Sequence, residues 1–233
     1  MAARRRNAKR SSPGRPEGEG PTRVASESVL PSEPAREPLR QSPLLLERLA
    51  TAGILRAAID VFSRHGFAAT RVEDILEAAN VARRTFYKHF SNKEDVLTAV
   101  YRLATNELTE AIRSAAGVDG DPLAAVSRAV DAYLDYHVAN SRLVAVLVQQ
   151  AVRTDSPLFA YRQRFREDLV QLLDVAVRAT TGERHDPFFY AALISAVEGT
   201  SLDLLSGKCG PDEVARAKSV LHLILDRVIA NRR

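Results

Sequence analysis

The stretch from Thr70 to Glu94, TRVEDILEAANVARRTFYKHFSNKE, constrains this chain more than any other. Thr70 and Glu73 have the spacing of a capping box, in which the hydroxyl accepts an orphan backbone N–H and the glutamate reaches back to the cap. A helix is therefore expected from Arg71 onward. Val72, Ile75, Leu76 and Ala79 recur at i, i+3, i+4 and i+7, a single apolar stripe. Asn80 tolerates the left-handed conformation that reverses a chain, and Val81 then plugs the turn into a core. From Ala82 to His89 a second helix turns Phe86 and, one turn on, Phe90 inward, leaving Arg83, Arg84, Thr85, Tyr87 and Lys88 on other faces. Ser91 and Glu94 repeat the capping spacing, so a third helix is expected at once, with Lys93 in its first turn. A lysine there opposes the helix macrodipole, and a phosphate nearby would reconcile the two.

Charge supports an anionic partner. Arg83, Arg84, Lys88 and Lys93 lie between Ala82 and Lys93 with no acid among them, whereas the whole chain of 233 residues carries a formal charge of only +4. Positive charge is thus concentrated where backbone phosphates would lie. A charge run alone usually marks a solvated helix face. The reversal at Asn80, the two capping signals and Tyr87 beside the cations point instead to a helix presented to a DNA groove.

The segment resembles the DNA-binding region of the TetR (tetracycline repressor) family of transcriptional regulators. The resemblance is carried by Phe62, Gly66-Phe67, Thr70, Asp74-Ile75, Ala78-Ala79, Val81, Thr85-Phe86-Tyr87, Phe90 and Lys93, and covers about Leu49 to Val100. It implies that Arg83, Arg84, Thr85 and Lys88 meet base edges, while Thr70, Tyr87, His89 and Lys93 grip phosphates. Arg71, at the head of the preceding helix, joins this DNA-contacting set. Asn80 stands where the family usually has glycine, and Ala82 where serine is frequent. Ala82 lacks the hydroxyl that would cap the reading helix and is left out of the contact set.

Proline divides the rest. Pro13, Pro16, Pro21, Pro31, Pro34, Pro38 and Pro43 fall in a stretch rich in Ser, Gly, Glu and Arg, so residues 1–44 are expected to be a disordered arm. It opens with Arg4, Arg5, Arg6, Lys9 and Arg10, which suit a phosphate track or a minor groove as well as a merely solubilising tail. No apolar run follows them, as a secretory signal would require. The other four prolines follow Asp121, Ser156, Asp186 and Gly210, and each reads as a helix start with proline in the first turn. About nine helices and no sheet are expected, an all-α chain. Residues 45–93 would form a three-helix domain with the helix-turn-helix, and 94–233 a larger helical domain for ligand binding and dimerisation. In that larger domain, Phe189, Ala192, Leu193, Ala196, Val197 and Thr200 stripe one long segment. Val214, Ala217, Leu221, Ile224 and Val228 stripe the next. Pairing two copies of these segments into a four-helix bundle is expected, since paired half-sites need two reading heads.

Enzyme chemistry finds no foothold. The five histidines are scattered, no metal-binding spacing or phosphate-cradling glycine loop appears, and Cys209 is the single cysteine, in a turn. No cofactor or metal is expected. No apolar run long enough to span a membrane is read from the sequence, so a soluble cytoplasmic protein is expected. The resemblance implies a small-molecule effector held between helices of the larger domain. Tyr133, Tyr136, His137, Gln149, Gln150, Arg153, Tyr161 and Phe165, scattered among Leu, Val and Ala, are the candidates to line such a pocket. The expected function is a homodimeric regulator that binds a palindromic operator and is released by that effector. A ligand-independent protein of the same fold that organises DNA or holds another protein is the alternative.

Overall fold

The computed structural model describes residues 43–117, 120–207 and 210–230. Nine α-helices run through them: α1 Pro43–His65, α2 Val72–Ala79, α3 Arg83–His89, α4 Lys93–Ala116, α5 Pro122–Ala139, α6 Ser141–Ala151, α7 Leu158–Thr181, α8 Pro187–Ser206 and α9 Pro211–Leu225. A π-helical turn, Asp226–Ala230, extends α9, and no strand occurs among the described residues. The all-α expectation holds. Nearly all of the expected basic arm, and the Cys209 thiol, lie outside the described residues.

The proline signals act as anticipated at α5, α8 and α9, while α7 starts one residue later, with Pro157 as its N-cap. At α5 the Asp121 carboxylate accepts from the N–H groups of Leu123 and Ala124, and at α8 the Asp186 carboxylate accepts from Phe188 N–H at 2.8 Å. Each satisfies orphan donors of a first turn whose leading position proline fills without loss. At α7 the Ser156 hydroxyl does the same for Leu158 N–H. α1 stops at Gly66, where φ is 74°, a conformation glycine adopts without a Cβ penalty.

Two capping expectations shift by one residue. α2 is preceded not by a Thr70 cap but by Arg71, whose N–H donates to the Asp74 carboxylate at 2.7 Å. α4 is capped by Asn92, whose side chain accepts from Asp95 N–H at 2.8 Å, while Ser91 N–H donates to the Asp95 carboxylate. Asn80 takes the left-handed turn as read, at φ 51°.

Burial gathers into two clusters that meet on α4. The first packs Ile54, Ala58 and Phe62 of α1, Ile75 of α2 and Phe86 of α3 around Val96, Leu97 and Val100 of α4, and Leu147 and Ala151 of α6 join it. The second joins Leu108 and Ile112 of α4 to Leu134 of α5, Val177 of α7, Leu193 of α8 and Leu221 of α9. One sequence expectation is corrected by α8, the one helix among the described residues whose length and composition would suffice to cross a membrane. Its inner face, with Tyr190, Leu193 and Ile194 buried, packs on α5, α7 and α9 as a core helix of this layer does.

Candidate functional site

The reading helix α3 is only seven residues long, far below the length at which an isolated helix is stable in water. It is held by what it buries. Phe86 is fully buried and Phe90 nearly so, with their rings 5.9 Å apart. Because inward residues recur every three to four positions, Arg83, Arg84, Tyr87 and Lys88 are left on the exposed side. Thr85 and His89 are half-buried at its margins.

Two acids, absent from the sequence-derived set, hold two of the three cations. Glu73 of α2 pairs with Arg83, and Glu47 of α1 pairs with Lys88. The Lys88 ammonium beside it keeps the Glu47 carboxyl below its usual range. His89 Nδ1 lies 3.2 Å from the Thr51 hydroxyl, a second tie between α3 and α1. Arg84 and Arg71 are exposed and make no side-chain bond among the described residues. The spacings of 10 and 41 residues between pair members hide these contacts from any local reading.

Two expected phosphate ligands make contacts within the chain instead of facing solvent freely. Thr70 is buried, and its hydroxyl donates to Gly66 carbonyl at 2.7 Å, closing the α1–α2 turn from within. The Lys93 ammonium donates to the carbonyls of Phe67, at 3.0 Å, and Thr70, at 2.8 Å, and sits 4.5 Å from the Phe67 ring centroid. Its charge faces turn carbonyls and an aromatic ring, so Lys93 ties α4 to the α1–α2 turn.

A cavity of about 220 Å³, open on one side to solvent, lies among α4, α5, α7, α8 and α9, walled by residues such as Ile112, Val126, Ala129, Leu169 and Val197. Of the eight expected ligand residues, only Tyr133 lines it. A smaller void of about 60 Å³ is lined by Tyr133, Tyr136, His137 and Phe165, with Tyr101, Arg162 and Glu198 beside them. Gln149, Arg153 and Tyr161 are exposed, Gln150 lines neither space, and Arg153 is paired with Asp155 at the surface. The reason is helical phase. α6 turns Val144, Leu147 and Ala151 inward, which carries Gln149 and Gln150 away from both spaces.

The polar end of the cavity is Glu198, which borders both spaces and pairs with Arg162 at 3.0 Å and with Arg166. A lone acid in the apolar run FFYAALISAVEGTSL was the signal that could have found it. Burial raises the Tyr133 phenol well above its ordinary value, against the opposing pull of Arg162, and pushes Tyr101 up to about 12. Burial also pushes His137 down to about 4, and its Nδ1 contacts the Ser201 hydroxyl.

The expected dimer stripe is rotated by the observed packing. Leu193 and Leu221 are buried within the chain, and Phe189, Ala196, Val197 and Ile224 pack on the same cluster. The Thr200 hydroxyl donates to the Ala196 carbonyl of its own helix, and Val214 and Ala217 are half-buried. The exposed face of α8 and α9 carries Phe188, 85% exposed, with Ala192, Leu202, Val220, Leu223 and, on the terminal turn, Val228.

The family model of bacterial regulatory proteins of the tetR family matches residues 54–100, which cover the second half of α1, all of α2 and α3 and the first turns of α4. TcmR, a transcriptional regulator of Streptomyces glaucescens, is 31% identical over 173 residues, covering 71% of this chain and 74% of that one. The chain belongs to the TetR family. A transcriptional repressor of Mycobacterium tuberculosis is likewise 31% identical to this TetR-family chain, over 59% of it and 71% of the repressor. Among solved structures, a TetR-like regulator from Rhodococcus sp. RHA1 superposes with a TM-score of 0.66 at 23% identity, over 78% of this chain and 97% of that one. This TetR-family protein is a DNA-binding transcriptional regulator, and its relatives are regulators, not enzymes.

Two outcomes follow for this regulator. Glu73→Gln releases Arg83, and since an exposed pair is worth about 0–1 kcal/mol, affinity for any duplex should rise about two- to fivefold at fixed salt. Fluorescence anisotropy with random DNA checks this, and unchanged or weaker binding would show that the pair does not restrain Arg83. His137, depressed from 6.5 to about 4, contributes stability that is full above 6.5 and is lost as pH falls toward 4, because the unfolded chain takes up the proton first. The loss is on the order of 3 kcal/mol at most. Denaturant melts across that window should show a flatter slope for His137→Gln than for the parent chain, and equal slopes would refute it.

Proposed function

We propose that this regulator is a ligand-responsive repressor that reads a palindromic operator as a homodimer in the cytoplasm. Residues 45–93 act as the reading head, and 94–233 as the body that binds ligand and pairs with its copy. The observation that carries the reading is the outward row of Arg83, Arg84, Tyr87 and Lys88 on a helix pinned from behind by Phe86 and Phe90. Arginine bonds guanine in bidentate fashion, and Arg84 is already free to do so. Arg71, Thr85 and His89 flank this row and complete the DNA-facing set, with Tyr87 hydrogen-bonding phosphate.

The exposed apolar row on α8 and α9 supports self-association, since Phe188, Leu202, Val220 and Leu223 gain from being covered by a second copy. Two heads so joined would meet half-sites about 34–36 Å apart. The cavity among the helices of the body supports the effector.

Arg84→Ala should cost about 1–3 kcal/mol on the operator and relax preference at one base position. Equal loss on operator and random DNA would assign Arg84 to phosphate instead. Leu223→Glu should leave a folded monomer whose operator affinity falls to that of one head. Sedimentation of the variant decides this, and an intact dimer would move the interface elsewhere.

A further inference from the structure

The cavity carries a statement about ligand chemistry. Its walls are almost wholly apolar, and among the described residues the charged side chains bordering it are Glu198 and Arg113. Arg113 is exposed and paired with Glu110, so it stands at the mouth. Glu198 stands within, partly buried, between two arginines.

Both guanidinium contacts fall on Glu198 Oε2. Oε1 has no hydrogen-bond partner among the described residues and is not sealed from approach. Tyr133 lines the same cavity, and its hydroxyl has no hydrogen-bond partner among the described residues. The two groups share a partition. Each borders both the large cavity and the small void, and the arginines that hold Glu198 also act electrostatically on the Tyr133 phenol.

Charge decides what can approach them. A cation would meet one carboxylate backed by two guanidiniums, a cluster of net positive charge, and burial together with Arg162 already lowers Arg166. An anion, though drawn by that net charge, would have to displace the Glu198 carboxylate that already occupies both guanidiniums. A neutral group avoids both penalties, and a hydroxyl alone both donates and accepts at one atom. Size follows from volume, since an apolar cavity of about 150 Å³ admits benzene.

We propose that the cavity takes a neutral, largely apolar molecule of about ten heavy atoms bearing one hydroxyl, which donates to Glu198 Oε1 and accepts from the Tyr133 phenol. The assignment rests on the ligand-response reading above for its regulatory meaning, while binding itself is measured without DNA.

The test is calorimetry of the full chain with four probes that share one apolar body: naphthalene, 2-naphthol, 2-naphthoate and protonated 2-naphthylmethylamine. The expected result is 2-naphthol binding at least about tenfold more tightly than naphthalene, with both charged probes weaker than naphthalene. Glu198→Gln and Tyr133→Phe should each shrink the advantage of 2-naphthol while leaving naphthalene within about twofold, which reports an intact cavity. Equal affinity of naphthol and naphthalene overturns the assignment, as does a charged probe ranking first or binding by none of the four. Should Glu198→Gln fail to fold, Tyr133→Phe and the parent ranking decide. Naphthol binding in the expected order without change in operator affinity would sink the ligand-response reading and leave the chemical assignment standing.

Discussion

Burial of the Phe86 ring is the constraint on which the DNA-facing surface depends. α3 has too few residues to persist on propensity, and its N-cap, Ala82, supplies no side-chain bond. Fully burying an aromatic side chain is worth roughly 1.5–3 kcal/mol, more than any exposed ion pair on this surface. That burial fixes the helix's rotation about its own axis, which in turn aims Arg83, Arg84 and Lys88 at solvent. Lys93 then completes the frame from the other side, holding the α1–α2 turn against α4 through backbone carbonyls. A residue that reads as a phosphate ligand thus serves as a strut.

The acids around α3 bear on affinity without much effect on stability. Glu47 and Glu73 hold cations that are more than half exposed, so each pair contributes little to the fold. They do preset where the guanidinium and ammonium sit. A polyanion can displace them at small cost, because it offers several phosphates for each carboxylate and releases counterions as it binds.

How far the sequence could be read follows from where it was ambiguous. TRVED and SNKED each end in adjacent acids, so two capping registers fit each segment, one closing on glutamate and one on aspartate. Spacing cannot choose between them. In the structure aspartate closes both, and the consequence reaches DNA: Asp74 takes the capping duty, which leaves Glu73 free to hold Arg83. Helix number, the Asn80 reversal and the inward pair Phe86 and Phe90 were legible because each depends on neighbours within one turn. The cavity and the outer face of α8 were not. α8 is apolar around most of its circumference, and periodicity cannot tell which side meets α5 and α7 and which meets solvent.

For the proposed ligand response, the direct route between cavity and reading head is α4, which shares with α7 a place in both cores and alone of the two leads into the α1–α3 head. Tyr101 and Ala104 belong to the first cluster, while Leu108 and Ile112, one to three turns further on, belong to the second and also border the two spaces. A helix without a break transmits displacement along its length, since close-packed neighbours cannot absorb it. For the proposed ligand response this sets a condition on energy. A molecule that fills the cavity equally well in both arrangements of α4 shifts nothing, however tightly it binds. The part of the ligand that can discriminate includes the part touching Ile112 and the Tyr133–Glu198 partition, where α4 and α5 face the α7–α8 pair across open space. A ligand anchored by its polar group at that partition would therefore act on α4 through its apolar end.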